Sequence, residues 1–159
     1  MSGTPNSSDQ TLSLGSLLST SGIGKYHVMF YVNLATLTDA DQITAWIPGH
    51  KGRIIDTRFI THIPVTTGSK ASTLNWEIGT VNITGGVLAL TSANCTPRGA
   101  VVESTAVTAL NAFLATDTIS LEASSTTAFA EGTGWLDLEI VNDDTLEAMA
   151  KALAGLRTP

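Results

Sequence analysis

An all-β fold, an antiparallel β-sandwich with an extended N-terminal arm and a short C-terminal helix, is what this sequence predicts, on three observations. Twenty-four of the 159 residues are threonine and only four are lysine. Threonine's branched Cβ suits a pleated strand, and its hydroxyl can face water or another protein without the desolvation cost of an ammonium. Apolar and polar residues alternate with period two in segment after segment, the pattern of half-buried strands. Beyond Asn142 the apolar spacing lengthens to three or four, the period of a helix.

Residues 1–24 hold seven serines, three threonines and four glycines, one acidic residue and no basic one, with Leu12, Leu14, Leu17 and Leu18 embedded. This reads as an arm, and its leucines supply apolar surface that a plain tail has no use for. The arm either lies across a neighbouring subunit or host surface, or is simply disordered. The sandwich domain spans residues 25–142 and the helical tail 143–159.

Tyr26, Val28, Phe30, Val32 and Leu34 share one face of the first strand, with His27, Met29, Tyr31 and Asn33 on the other. A turn at Thr38-Asp39-Ala40-Asp41 leads to a short strand from Ile43 to Ile47, which Pro48-Gly49 ends. The longest strand, Arg53 to Val65, sets Ile55, Thr57, Phe59, Thr61 and Ile63 against Ile54, Asp56, Arg58, Ile60 and His62. Both faces are mixed, so this strand is expected to be covered on both sides, by a second layer or by a partner subunit. Leu74, Trp76 and Ile78 alternate with Thr73, Asn75 and Glu77, and Trp76 falls on the apolar, core-facing side. Gly85-Gly86 separates Val81–Ile83 from Val87–Thr91 as a hairpin turn does. No charged residue occurs from Ile78 to Pro97, so this stretch is expected to be covered.

Ala100 to Leu114 reads as loop and strand, although Val102, Ala106, Leu110 and Leu114 also fit a helical spacing. Ile119, Leu121 and Ala123 point inward from the next strand. Trp135 to Val141 alternates most cleanly, Leu136, Leu138 and Ile140 against Trp135, Asp137 and Glu139, and is expected to close the sheet. Asp143 or Asp144 caps the terminal helix, with Glu147 completing a capping box, and Leu146, Met149, Leu153 and Leu156 form its apolar stripe. So short a helix is marginal alone and needs its own sheet or a partner to lie against.

The composition excludes most chemistry. Charged residues make up 14% of the chain and the net charge is −6, which leaves a nucleic-acid groove without its clustered Lys and Arg. Apolar runs such as Val87 to Leu90 stop far short of the ~20 residues of a membrane span, and Met1 to Pro5 carry no basic start of a secretory signal. Cys95 is alone, so no intrachain disulfide forms, and it reads as a small apolar residue near a turn. Gly22-Ile23-Gly24-Lys25 lacks P-loop spacing, and Gly132-Thr133-Gly134 is half of a dinucleotide fingerprint. His27, His50, His62 and Cys95 lack zinc-motif spacings, and Asp39, Asp41 and Gln42 lack the rest of a calcium loop. No serine sits in a Gly-x-Ser-x-Gly context, and Asp137 and Glu139 read as carboxylates facing water. No metal, cofactor or catalytic residue is therefore expected. A cleft gathering His27, His50 or His62 beside a carboxylate would revive an enzyme.

Asp56, Arg58, Ile60 and His62 share one strand face whose mixture of apolar centres and charges suits a subunit interface. Between Val101 and Ala150 all nine charged residues are acidic, while all basic residues but two lie from Lys25 to Arg98. That asymmetry can orient head-to-tail contacts around a ring.

The Ser/Thr-rich arm, the run Val81-Asn82-Ile83-Thr84-Gly85-Gly86-Val87-Leu88-Ala89-Leu90 and the closing Gly132-Thr133-Gly134-Trp135-Leu136-Asp137-Leu138-Glu139-Ile140 together resemble capsid decoration, or cement, proteins of tailed bacteriophages. The resemblance covers roughly residues 26–142 and lies in texture, with no diagnostic motif. It implies a jelly-roll sandwich made in the host cytoplasm. As a homotrimer on the virion exterior it would bridge neighbouring copies of the major capsid protein and stiffen the shell. The arm with Leu12, Leu14, Leu17 and Leu18, or the tail with Leu146, Met149 and Leu153, would be the anchor. The terminal helix departs from a minimal decoration protein and fits a head fibre or tail adaptor. The alternative is a carbohydrate- or receptor-binding β module of a phage fibre, for which Trp46 and Trp135 are the available stacking residues.

Overall fold

The computed structural model describes residues 24–155; the arm leucines Leu12, Leu14, Leu17 and Leu18 and the tail residue Leu156 lie outside them. Among the described residues the chain forms β1 (Lys25–Asn33), β2 (Asp41–Trp46), β3 (Gly52–Ile63), β4 (Ala71–Ile78) and β5 (Val81–Asn82). Then come β6 (Leu88–Thr91), β7 (Val101–Glu103), β8 (Ala112–Phe113), β9 (Ile119–Thr127), β10 (Thr133–Asn142) and helix α1 (Asp143–Gly155). The strands make two antiparallel five-stranded sheets. The first has the order β1-β10-β3-β7 with β8 also on β3, and the second β2-β9-β4-β5 with β6 also on β4. Successive strands β1 and β2, β3 and β4, and β9 and β10 thus divide between the two sheets. β10, expected from its alternation to close the sheet, lies inside the first sheet between β1 and β3.

The core lies between the sheets. Ile54, Phe59, Leu136, Leu138 and Ile140 face Leu74, Trp76, Leu88, Leu90, Ile119 and Leu121, all fully buried. Trp76 is core, as its place on the apolar face predicts. Its Nε1 donates across the core to Thr57 Oγ1 at 3.2 Å. Thr57 Oγ1 donates in turn to the Asp137 carbonyl at 3.1 Å, so the one polar atom of the largest core side chain is satisfied within the core.

Period two alone does not describe β3. Ile54 and Phe59 are both wholly buried, yet an odd spacing of residues would put them on opposite faces. The register resolves this: Asp56 pairs with Glu139 and Ile54 with Ile140, leaving Ile55 as the extra residue of a β-bulge. Within the bulge Asp56 Oδ1 accepts the Thr57 N–H at 2.8 Å. Ile54 therefore leaves the face that the sequence assigned it with Asp56, Arg58, Ile60 and His62 and joins the core.

Gly85-Gly86 is not a hairpin turn. β5 and β6 lie end to end along the same edge of β4, and the residues between them leave that edge to meet the excursion between β7 and β8. Thr84 N donates to Ala109 O, Thr108 N to Thr84 O, Gly86 N to Thr105 O and Thr105 N to Val87 O, at 2.8–3.0 Å. One side of the sandwich is thereby closed by backbone hydrogen bonds between the sheets. A Cβ on Gly85, whose φ is +81°, would sit 1.8 Å from the Ala106 carbonyl oxygen. The uncharged run from Ile78 to Pro97 owes much of its character to this crossing, because Ile83, Leu88, Leu90 and Cys95 are core. Burial also pushes the Cys95 thiol pKa up, which suits an unreactive packing residue.

The helix cap differs from expectation. Asn142 Oδ1 accepts the Thr145 N–H at 3.0 Å. Asp143 instead binds the Arg53 guanidinium at 2.9 and 3.1 Å, Asp144 accepts the Lys51 N–H at 3.1 Å, and Glu147 pairs with the Lys51 ammonium. Among the described residues these contacts tie the first five residues of the helix to Lys51 and Arg53 at the start of β3. Leu146, Met149 and Leu153 are half-buried, and α1 buries no side chain completely among the described residues.

Glu131 secures the loop after β3. Its carboxylate accepts the N–H groups of Thr66 and Thr67 at 2.7 and 2.6 Å and their hydroxyls at 2.8 and 2.9 Å. These bonds favour the ionised form and hold its pKa at about 2. Since that lies below the unfolded value of 4.5, the stabilisation is complete above about pH 4.5 and fades as pH falls towards 2. Glu131→Gln should therefore lower Tm at pH 7 and shrink the loss of Tm between pH 7 and pH 3, as thermal unfolding followed by circular dichroism would show. Gly85→Ala should cost about 1–3 kcal/mol, against about 1 kcal/mol for Gly99→Ala, which has a similar φ but nothing within 4 Å, measured by urea unfolding.

Candidate functional site

The outer face of the first sheet is the candidate site, and the register of four strands builds it. Tyr31 on β1 pairs with Trp135 on β10, Trp135 with Ile60 on β3, and Ile60 with Val101 on β7, a continuous apolar row across the sheet. Tyr31 is 54% exposed, Trp135 41% and Val101 49%, and Met29 adjoins them at 46%. The Tyr31 and Trp135 rings meet edge to face, with centroids 5.4 Å apart. Scattered exposed apolar residues are ordinary, but here four of them are neighbours in one row on one sheet face, which makes this face the candidate.

The adjoining row is charged: Met29 pairs with Asp137, Asp137 with Arg58 and Arg58 with Glu103. Asp137 is only 5% exposed. Its Oδ2 accepts from Arg58 at 2.9 Å (Nε) and 2.7 Å (terminal nitrogen), and its Oδ1 accepts from His27 Nδ1 at 2.8 Å. An ionised carboxylate only accepts, so His27 carries its proton on Nδ1. The hydrogen bond to Asp137, then its charge, raises the Arg58 pKa further above its already high value. Lys25 and Glu139 add a pair at 3.3 Å. These contacts hold Arg58 and His27 in fixed directions instead of leaving them as free surface charges.

Asp56, Arg58 and Ile60, expected at an interface, do share this outer face and are half-buried, while His62 is exposed at the end of β3. Sequence reasoning took Asp137 for a carboxylate facing water; it is instead the buried centre of the network. His27 carried no signal of its own, since its partnership with Asp137 depends on β1 lying beside β10. The tail residues Leu146, Met149 and Leu153 sit apart from this face on α1.

His27 beside Asp137 meets the geometric half of a catalytic base. His27 hydrogen-bonds Asp137 and no serine, threonine or cysteine among the described residues. The depression between His27, Asp56, Thr57, Arg58, Asp137 and Glu139 has a volume of about 10 Å³, room for one water. His50 is held within the fold by the Tyr26 hydroxyl and the Phe113 ring. The outer face of the second sheet is polar and acidic: Asp41 pairs with Glu122, and burial followed by repulsion from Glu122 and Asp41 pushes the Glu77 carboxyl pKa up.

Asp137→Asn should cost roughly 1–2 kcal/mol, a figure limited by the 40% and 47% exposure of Arg58 and His27, whereas Glu139→Gln should cost under about 1 kcal/mol. Urea unfolding at pH 7 compares the two. No known protein family, curated protein or solved structure matches this chain.

Proposed function

We propose that this chain is a structural protein of a bacteriophage virion, a decoration protein that sits on the capsid exterior as a homotrimer and bridges copies of the major capsid protein. The apolar row Tyr31-Trp135-Ile60-Val101, bordered by the fixed His27-Asp137-Arg58 network, carries the reading. It has the make-up of a protein interface, with apolar and aromatic residues at the centre and directed charges beside them. The strand order β1-β10-β3-β7 against β2-β9-β4-β5 supports placing the sandwich among jelly rolls. Modest contacts of one subunit gain strength when a trimer engages several shell subunits together, so a broad, weakly charged face suffices.

Carbohydrate binding is the second reading, and the exposed Trp135 beside Tyr31 favours it. Their edge-to-face arrangement, with planes 68° apart, gives no shared flat surface for a sugar ring, which weighs towards protein contact. Light scattering should find the intact chain trimeric and Trp135→Asp monomeric with unchanged far-ultraviolet circular dichroism. A monomeric wild type, or a trimer untouched by Trp135→Asp, would remove this face from self-association. Sedimentation with empty phage heads then tests shell binding, and tryptophan fluorescence altered by host glycans but not in Trp135→Phe would favour the sugar reading.

A further inference from the structure

The connection from β1 to β2 bounds a second depression, of about 220 Å³, lined by Tyr31, Val32, Asn33, Thr36, Gln42 and Ile43. The backbone around it is fixed by the fold. Leu34 and Leu37 are buried on either side of the single 3₁₀ turn Leu34–Thr36, and Leu34 N donates to Gly132 O at 2.9 Å. Three polar side chains of the lining bond this same connection with one end each. Asn33 Oδ1 accepts the Ala35 N–H at 3.1 Å, Gln42 Nε2 donates to the Thr38 and Ala40 carbonyls at 2.9 Å, and Thr36 Oγ1 donates to the Asn33 carbonyl at 2.9 Å. Only the nitrogen of a carboxamide donates and only its oxygen accepts, so the orientation of both amides is decided. What each keeps for another partner follows: the NH₂ donor of Asn33, the carbonyl acceptor of Gln42 and the hydroxyl lone pairs of Thr36.

Beside these groups stands the exposed ring of Tyr31, braced edge to face by Trp135. No charged residue lines the depression, so a phosphate or carboxylate would find no cation to pair with. We propose that this depression binds one neutral pyranose ring, the terminal sugar of a glycan. Every hydroxyl of such a ring both donates and accepts, which matches a donor on Asn33 and acceptors on Gln42 and Thr36. The C–H face of the sugar then lies on the Tyr31 phenol, an apolar surface with a polar tip. The volume is below the ~300–1,000 Å³ of sites for drug-sized ligands and suits a single ring. Stacking on Tyr31 alone also removes the obstacle set by the steep angle between Tyr31 and Trp135. The site is distinct from the apolar row and holds whether or not the chain forms a trimer.

Titration of the full chain with glucose, galactose, mannose and N-acetylglucosamine, each to about 50 mM and followed by NMR of backbone and side-chain amides, tests this. At least one sugar should shift the Asn33 and Gln42 side-chain amide signals saturably. The expected Kd is about 1–10 mM, the weak binding that one small ring allows. Glycerol, a polyol without a ring face, should leave these signals in place at the same concentration. Tyr31→Ala removes the stacking ring, and Asn33→Asp keeps the oxygen that accepts the Ala35 N–H while removing the donor. Each should weaken binding about fivefold or more. No saturable shift with any of these sugars, or equal shifts with glycerol, overturns the proposal. Binding undiminished in Tyr31→Ala or in Asn33→Asp also overturns it, and shifts then centred on the Trp135 indole N–H give the sugar to the aromatic row. Solution mass and shell binding are separate measurements, so failure here is distinguishable from failure of the trimer reading.

Discussion

The bulge at Ile55 is the constraint on which the rest of the molecule depends. It lets Ile54 and Phe59 share one core although their spacing is odd, and it brings Thr57 inward to take the Trp76 N–H. The same shift turns Asp56, Arg58 and Ile60 outward. A strand in strict alternation could satisfy the core at one end of β3 or the other, but not at both. Burying Trp76 with its N–H unmet would cost on the order of 1–3 kcal/mol. The packing of the second sheet on the first therefore rests on one extra residue in β3.

From Thr57 the connection runs outward. Its hydroxyl reaches the Asp137 carbonyl, and the Asp137 side chain, on the other side of the sheet, gathers Arg58 and His27. Core and outer face are thus joined at adjacent positions of β3 and β10, and the charged border of the apolar row is held to the sheet by hydrogen bonds. A contact surface benefits from this, because side chains already ordered lose less entropy on binding. The two sides of the sandwich differ just as physically: one is sealed by paired loops that need glycine at position 85, and on the other β1 and β2 are the end strands of their sheets among the described residues.

Much of the fold was legible. The inward sets Val28-Phe30-Val32, Leu74-Trp76, Ile119-Leu121-Ala123 and Leu136-Leu138-Ile140 lie where period two placed them, since each depends only on alternation within one strand. Asp56, Arg58 and Ile60 were also placed on one outer face. The errors arose where a residue's role depends on another segment. Gly85-Gly86 looks like a hairpin turn because such a dipeptide serves equally well for a close backbone crossing. Asp137 looks solvated because nothing near it in sequence reveals that Arg58 and His27 flank it. Asp143 and Asp144 look like caps, yet Arg53 and Lys51 draw them away and leave the cap to Asn142.

Local chemistry, then, determined that this chain is a β-sandwich with a terminal helix: branched and alternating residues favour strands, and their apolar faces demand a second layer, whatever the topology. Only the tertiary structure decided which strands adjoin, where β3 slips its register, and which scattered residues become a site. Tyr31, Trp135, Ile60 and Val101 are far apart in sequence and form a row solely because β1, β10, β3 and β7 lie side by side, and pairing between distant strands is set by the packing of the whole core, not by any segment of it.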